Sequence, residues 1–288
     1  MRRVKTSPRS MPERIRRRLA RERKRPWNTF EKGKPVLLRL TGARPVGHVF
    51  IFGCQRSGTT HVERLFRADP RSKVFGEFSA LSVDAGRTAW RPLEDVASDL
   101  KQQRSTYTVA RSLLASHRAP EILDTVTPSV GLFMFRDVDG VVNSMFQKWG
   151  NGFRALSETV ETGKDGVWDL RDLWERIDAE IEAGGPGDAD QRTRDSYALY
   201  WYARNALMLD ERTRARLLLV DYADMTAAPS ALVDRVLRPL GIRAPWLTFP
   251  LATRKADDKR RAVRLSPCVR TRCEKLYESL RTLRTVLE

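Results

Sequence analysis

One segment, residues 49–60, constrains the fold of this chain more than any other. It begins with the apolar run Val49–Phe52, breaks at Gly53, crosses a polar loop and enters a helical pattern at Gly58. Backbone N–H groups in such a glycine-bounded turn point into one concavity, and the N-terminus of the following helix favours an anion. The segment is therefore typical of a phosphate-binding loop between a strand and a helix, although a glycine-rich turn without a ligand has the same outline.

The residue that follows Gly58 narrows the choice of ligand. Gly53 and Gly58 have the spacing of a nucleotide P-loop, G-x-x-x-x-G, but Thr59 stands where that motif has a lysine. The loop carries its cation in the middle instead, at Arg56. Because a P-loop lysine reaches the β- and γ-phosphates of a nucleoside triphosphate, its absence makes ATP chemistry less favoured. We expect a loop that binds a 5′-phosphate together with a transferable anionic group.

The rest of the chain alternates predicted strands and helices, which is typical of βαβ units and a parallel sheet. Further strands are predicted at 73–76, 105–110, 130–135 and 217–220, with a helical insertion at 150–192. Ligands bind such sheets at the carboxyl ends of the strands, where Arg56, Glu77 and Arg136 fall. We predict an α/β fold: a single P-loop-type domain over residues 35–288, with three layers (α/β/α) and a central, mostly parallel sheet.

The positive charge of the chain is concentrated at its start. The net charge is +17, and residues 1–34 hold fourteen Lys or Arg against three Glu. We expect this segment to be a basic leader. It is either solvated or in contact with an anionic partner: a membrane surface, a nucleic acid or an acidic polysaccharide.

The sequence shows no pattern typical of a membrane-spanning or secreted protein. No apolar run approaches the ~20 residues of a membrane span. The basic start is not followed by the apolar core of a signal peptide. Cys54, Cys268 and Cys273 form neither a disulfide framework nor a zinc pattern. We therefore expect a cytoplasmic protein, with peripheral contact to a membrane as an open alternative.

A second polar string follows the apolar run at 130–135. Arg136 would end a buried strand, and Ser144 lies eight residues later on the helix that follows. A guanidinium and a hydroxyl placed in this way can bind one phosphate, with the arginine giving two charge-assisted hydrogen bonds. The alternative is an arginine that pairs locally with Asp137 or Asp139.

Both strings resemble motifs of one family, the sulfotransferases that use 3′-phosphoadenosine 5′-phosphosulfate (PAPS). The first resembles their 5′-phosphosulfate loop: Gln55-Arg56-Ser57-Gly58-Thr59-Thr60. Arg136 and Ser144 resemble their 3′-phosphate motif, which usually has a proline where this chain has Val138. The resemblance spans roughly residues 47–288. It implies transfer of a sulfuryl group from PAPS to an acceptor hydroxyl or amine, with release of adenosine 3′,5′-bisphosphate and no need for a metal.

The resemblance also implies roles for these residues. Arg56 would stabilise the leaving phosphate near the bridging oxygen. Arg136 and Ser144 would hold the 3′-phosphate. The 5′-phosphate would be held by backbone N–H groups and hydroxyls of the loop, at Gln55, Ser57, Gly58, Thr59 and Thr60.

An acceptor hydroxyl needs a general base, and Glu77 is our candidate. It is expected to end the strand next to the loop strand, and the protein-tyrosine and related Golgi branches of the family have a glutamate at the matching place. The alternative is a glutamate that pairs with a neighbouring arginine. His61 follows the loop where cytosolic members have a tryptophan against the adenine, so we expect it in the wall of the site.

Two further expectations concern supporting residues. Tyr197, Tyr200 and Trp201 recur at helical spacing and are expected in the core rather than in contact with a ligand. From charge and family position, Arg254 and Lys255 are candidates to close over the 3′-phosphate.

Two other functions remain open. Leu218–Val220 followed by Asp221 imitates a Walker B strand, which keeps a P-loop nucleotide kinase or NTPase as an alternative. A basic protein that binds polyanions or membrane surfaces through residues 1–34 is the second. The acceptor of a sulfotransferase is equally open and could be a saccharide, a lipid, a peptide or a small phenol.

Overall fold

The computed structural model describes residues 34, 38, 42–77, 79–82, 90–150, 189–244 and 262–287. Most of the predicted leader and insertion, together with Arg254 and Lys255, lies outside the described residues, so those expectations stay predictions. Lys34, the last residue of the predicted leader, is buried. Its ammonium donates to the Arg67 carbonyl and the Ser72 hydroxyl, both at 2.9 Å. Lys34 is therefore packed against the folded body.

Five parallel strands form the centre of the described part of the protein. They are β1 (His48–Gly53), β2 (Ser72–Phe75), β3 (Tyr107–Arg111), β4 (Ser129–Phe135) and β5 (Leu217–Asp221). Their order across the sheet is β2–β3–β1–β4–β5, and each neighbouring pair is parallel. The predicted parallel α/β fold is confirmed. Because β1 is the central strand, its carboxyl end lies between those of β3 and β4.

Helices connect the strands. They are α1 (Thr59–Ala68), α2 (Leu93–Lys101), α3 (Ala119–Thr125), α4 (Val138–Trp149), α5 (Ala189–Ala206), α6 (Glu211–Arg214), α7 (Tyr222–Ala227), α8 (Pro229–Leu237) and α9 (Pro267–Leu283). Short 3₁₀ turns lie at Ser116–Arg118, Leu207–Leu209 and Arg238–Leu240. Among the described residues, no helix combines the length and the apolar character needed to cross a membrane.

The helices cover both faces of the sheet, because successive strand residues point to opposite faces and both sets are apolar. Phe50 and Phe52 of β1 point into a core shared with α2, α3, α4, α5 and α9. Val49 and Ile51 point into a second core, shared with α1, α7 and α8. The result is the expected three-layer arrangement, with β1 fully buried on both sides.

The position of β2 differs from the expectation. The strand that precedes Glu77 lies at the edge of the sheet, and β3 separates it from β1. The prediction that Glu77 ends the strand next to the loop strand is therefore wrong. Hydrophobic patterning identifies strands but does not encode which of them are neighbours, and here the chain returns from the edge to insert β3 between them.

The opposite edge of the sheet is covered by the residues after α9. The backbone N–H of Thr285 donates to the Leu219 carbonyl at 2.7 Å, and the Leu219 N–H donates to the Thr285 hydroxyl at 3.1 Å. Both outward-facing backbone groups of Leu219 in β5 are therefore satisfied by one residue.

Candidate functional site

The loop after β1 has the backbone of an anion-binding turn. Gly53 and Gly58 have φ angles of +131° and +90°, and Arg56 has a φ of +69°, which is uncommon for a residue with a side chain. At Gly53 this freedom is required, since a Cβ there would lie 2.3 Å from the carbonyl oxygen of Met134. The loop then enters α1 at Thr59 without a side-chain cap, so the first N–H groups of the helix remain available to a ligand.

The side chains of this loop are unevenly exposed. Ser57 and Thr59 are buried, whereas Thr60 is exposed. Gln55 accepts a hydrogen bond from the hydroxyl of Tyr200 through its Oε1. Cys54, the first residue after β1, is fully buried, and this burial raises the pKa of its thiol to about 12. The thiol is therefore neutral near pH 7 and unsuited to act as a nucleophile.

The second motif lies at the end of the neighbouring strand, β4. Asp137 caps α4 by accepting from the Gly140 N–H at 2.7 Å. The Arg136 guanidinium lies over this first turn, where a Cβ on Gly140 would be 2.4 Å from its Nε. Arg136 Nε is 3.6 Å from Asp137 Oδ2, a long ion pair. Asp139 pairs elsewhere, accepting from Arg270 at 2.9–3.0 Å, so the local pairing considered for Arg136 is at most partial.

The two motifs meet in space. Arg56 Nε donates to the hydroxyl of Ser144 at 2.9 Å, although the two residues are 88 positions apart in the chain. Burial, and secondly the positive charge of Arg136, lowers the pKa of the Arg56 guanidinium. Two arginines that repel each other in a half-buried site are stabilised by an anion between them. We call residues 53–60 and 136–144 together the loop pair.

Tyr222, whose role the sequence did not reveal, lies between the two loops. A Cβ on Gly58 would lie 2.3 Å from Tyr222 Cδ2, and the guanidinium carbon of Arg136 is 4.6 Å from the centroid of the Tyr222 ring. The available signal was its position directly after Asp221 at the carboxyl end of β5. The ring contacts Gly58 in one loop and supports the flat face of Arg136 in the other.

Asp221 does not have the surroundings of a metal ligand. Its Oδ1 accepts from the Ala223 N–H at 2.9 Å and caps α7, while its Oδ2 accepts from the Tyr277 hydroxyl at 2.9 Å. Both carboxylate oxygens are therefore engaged within the protein. Among the described residues, no group of three or more His, Cys, Asp or Glu is arranged to hold a metal ion. This geometry weakens the Walker B interpretation of β5.

Glu77 lies in a different set of charges, which we call the carboxylate cluster: Glu63, Glu77, Arg111 and Arg204. Arg111, the last residue of β3, places its Nε 2.9 Å from Glu63 Oε2 and donates from Nη1 to the Thr60 hydroxyl at 2.6 Å. Arg111 therefore ties this cluster to the loop after β1. The sequence had the same signal for it as for Arg136, a cation at the end of a strand, but the predicted strand stopped one residue short.

The environment of Glu77 is set by burial and by two arginines. Burial raises the pKa of its carboxyl, and the charges of Arg111 and Arg204 oppose that shift. Glu77 Oε1 is buried and, among the described residues, accepts no hydrogen bond. Arg204, buried on α5, donates to the Leu114 carbonyl at 3.3 Å. A carboxyl with a raised pKa and an uncommitted oxygen can accept a proton.

The remaining predicted residues fall around the loop pair. His61 lies half-buried in the first turn of α1, and burial together with the charge of Arg64 lowers its pKa, which favours the neutral imidazole. Tyr197, Tyr200 and Trp201 are buried in the core, as expected. Two of them also donate hydrogen bonds to the loop pair, Tyr200 to Gln55 and Trp201 Nε1 to the Arg136 carbonyl at 2.9 Å.

Comparison with known proteins adds to this picture at the level of the fold. Neither a protein-family model nor a curated protein sequence matches the chain. Among solved structures, it is similar to the sulfotransferase domain from the Synechococcus PCC 7002 olefin synthase. The TM-score is 0.51 with 15% sequence identity, over 83% of this chain and 95% of that one. At this identity the match shows the fold alone, and the chain has a sulfotransferase-like fold.

Proposed function

We propose that this protein is a sulfotransferase that moves a sulfuryl group from PAPS to an acceptor hydroxyl or amine and releases adenosine 3′,5′-bisphosphate. The observation that carries the proposal is the contact between Arg56 and Ser144, which joins the two motifs at the carboxyl ends of neighbouring strands. Two anion-binding loops separated by one strand spacing suit a ligand with a phosphate at each end of a nucleoside.

The residues present fit such a donor. The backbone of the loop after β1 and the open N-terminus of α1 suit the 5′-phosphosulfate, with Ser57, Thr59 and Thr60 supplying hydroxyls. Arg136 and Ser144 suit the 3′-phosphate. Arg136 Nε is buried and has no hydrogen-bond partner among the described residues, so its N–H can donate to a bound anion.

Chemistry at this site needs positioning and electrostatic stabilisation. Sulfuryl transfer resembles phosphoryl transfer, an in-line displacement with charge on the peripheral oxygens and the leaving phosphate. Arg56 would turn from Ser144 towards the leaving phosphate and stabilise its charge. Glu77 would accept the proton of the acceptor group, while Arg111 holds the first turn of α1 through Thr60. Because β2 lies at the edge of the sheet beyond β3, an acceptor bound near Glu77 would approach the loop from the β3 side.

Calorimetry with adenosine 3′,5′-bisphosphate, without added metal, tests the proposal. We expect wild type to bind, and Arg136→Ala to lose about 1.5–3 kcal/mol of binding free energy because charged hydrogen bonds are removed. Arg238→Ala is the matched control. Arg238 is exposed, pairs with Asp234, and lies in the turn that packs on Gly47 at the amino end of β1. It should leave the affinity unchanged. Magnesium-dependent ATP binding with no bisphosphate binding would contradict the proposal and favour a kinase or NTPase.

A further inference from the structure

Helix α5 touches both halves of the loop pair with two consecutive residues. The Tyr200 hydroxyl donates to Gln55 Oε1 in the loop after β1. The Trp201 indole N–H donates to the Arg136 carbonyl after β4 at 2.9 Å. Both side chains are almost fully buried, at 1% and 0% exposure. Consecutive residues of a helix point about 100° apart, so one turn of α5 can reach two loops at once.

These contacts lie where the sheet stops holding the loops together. The ladder between β1 and β4 runs from His48 and Ser129 to the pair Gly53 and Met134. Beyond that pair the two chain segments diverge into separate loops, and backbone pairing no longer fixes their separation. The bonds from Tyr200 and Trp201 begin two residues later on each segment, at positions 55 and 136.

Helix α5 is itself anchored in the fold, so it can position the two loops that it contacts. Asp195, buried on α5, accepts from the N–H and the hydroxyl of Ser266 at 2.9 and 2.7 Å, which ties the helix to the start of α9. Asn205 donates to the Trp201 carbonyl at 2.7 Å and strengthens the turn that follows the pair. A side chain whose own helix is anchored in this way can position a binding group accurately.

We propose that Tyr200 and Trp201 are positioning residues that fix the distance between the two anion-binding loops. They thereby select ligands that carry a phosphate at both ends of one nucleoside. The inference rests on the proposed function and deepens it. A ligand that occupies two sites at once gains affinity over either half only if the sites are held at the matching separation. Preference for the bisphosphate over its two mononucleotides therefore reports on the spacing of the loops.

The experiment compares three ligands on four proteins by calorimetry. The ligands are adenosine 3′,5′-bisphosphate, 5′-AMP and 3′-AMP. The proteins are wild type, Tyr200→Phe, Trp201→Phe and the control Tyr197→Phe. Tyr197 is a buried tyrosine of the same helix whose hydroxyl donates to the Gly150 carbonyl, away from both loops. Circular dichroism and melting temperature confirm that each variant is folded. Tyr200→Phe keeps the size of the ring and so guards against a folding defect in Trp201→Phe.

We expect each test variant to reduce the preference for the bisphosphate over both mononucleotides by about tenfold, while the control keeps the wild-type preference. A purely local effect of Tyr200→Phe would weaken 5′-AMP and the bisphosphate equally, leaving that ratio unchanged, and would overturn the inference. So would test variants that lower the melting temperature but retain both ratios. If wild type does not bind the bisphosphate, the proposed function fails, and the inference fails with it. If wild type binds it and the variants keep its preference, only the inference fails.

Discussion

The loop pair and the carboxylate cluster both lie at the carboxyl ends of the strands, yet they are built differently. The loop pair is made by two continuous chain segments. Each contains a glycine and an arginine, and each is positioned by the strand that precedes it. The carboxylate cluster is assembled from α1, the segment after β2, β3 and α5, with a single charged residue from each. The first kind of site can be predicted from local sequence. The second can be predicted only once the order of the strands is known.

The cluster also depends on ion pairs, whereas the loop pair depends on backbone geometry. Arg111 serves Glu63 and Thr60 at the same time. In the loop pair, Gly53 and Gly58 lie so close to Met134 and Tyr222 that a side chain at either position would clash. We therefore expect substitutions in the loop pair to act on folding and donor binding together. Those in the cluster should act on turnover and its pH dependence.

The largest expected effect separates the two regions. Glu77→Gln should lower turnover by about 10²–10⁴-fold, because the amide cannot accept the acceptor's proton. Bisphosphate affinity should stay within about twofold, since the loop pair is untouched. Activity would be followed with labelled PAPS and affinity by calorimetry.

Glu63→Gln is the matched control for Glu77→Gln. Glu63 is a buried carboxylate of the same cluster and pairs with Arg67 and Arg111. It should lose far less turnover. Equal losses in both variants would move the role of the base away from Glu77.

The next effect tests the rigidity of the loop pair. Gly53→Ala should destabilise the protein by at least about 3 kcal/mol. Its φ of +131° is accessible essentially to glycine alone, and the new Cβ meets the Met134 carbonyl at 2.3 Å. Gly241→Ala provides the comparison, because Gly241 also has a positive φ, +69°, but has nothing within 4 Å of a Cβ. It should cost about 1 kcal/mol. Urea unfolding measures both, and similar values would show that the close approach at Gly53 relaxes easily.

A third effect, the loss of stability from His48 at low pH, limits the pH range in which the carboxylate cluster can be studied. His48, at the amino end of β1, is buried against the Thr108 hydroxyl at 2.7 Å, and burial lowers its pKa to about 4. The unfolded chain then binds more protons than the folded one between pH 4 and 6.5. Stability from His48 is complete above pH 6.5 and is lost as the pH falls towards 4.

We expect wild type to lose about 2 kcal/mol more of its unfolding free energy than His48→Gln over this interval. Urea unfolding at each pH measures the difference. Parallel curves for the two proteins would remove His48 as the cause. The steeper wild-type curve sets the lowest pH at which turnover reports on Glu77 rather than on unfolding.

The smallest effect probes the link between the two regions. Arg111→Met removes a charge that opposes the raised pKa of Glu77, so that pKa should rise further. The acid side of the pH–rate profile should move to higher pH, and turnover near pH 7 should fall about tenfold. Arg118→Met, at a partly exposed arginine that pairs with Glu121, should leave the profile unchanged. A profile that does not move with Arg111→Met would separate the cluster from the chemistry.

The same contrast explains what the sequence could predict. The five strands, the loop at 53–58 and the meeting of Arg56 with Arg136 and Ser144 follow from hydrophobic runs and from cations placed at strand ends. The edge position of β2 does not, because no local signal states that β3 inserts beside β1. Arg111 was missed because the predicted strand stopped one residue before it, and Tyr222 because its partners, Gly58 and Arg136, lie on other elements.

The bonds between Thr285 and Leu219 have a consequence for self-association. An open edge strand in a parallel sheet offers a row of unpaired N–H and C=O groups that can template the addition of a strand from another molecule. One threonine uses its backbone and its hydroxyl to close that row at the middle of β5. Thr285 thus blocks growth of the sheet from molecule to molecule at this edge, a protective task unrelated to any chemistry at the carboxyl ends of the strands.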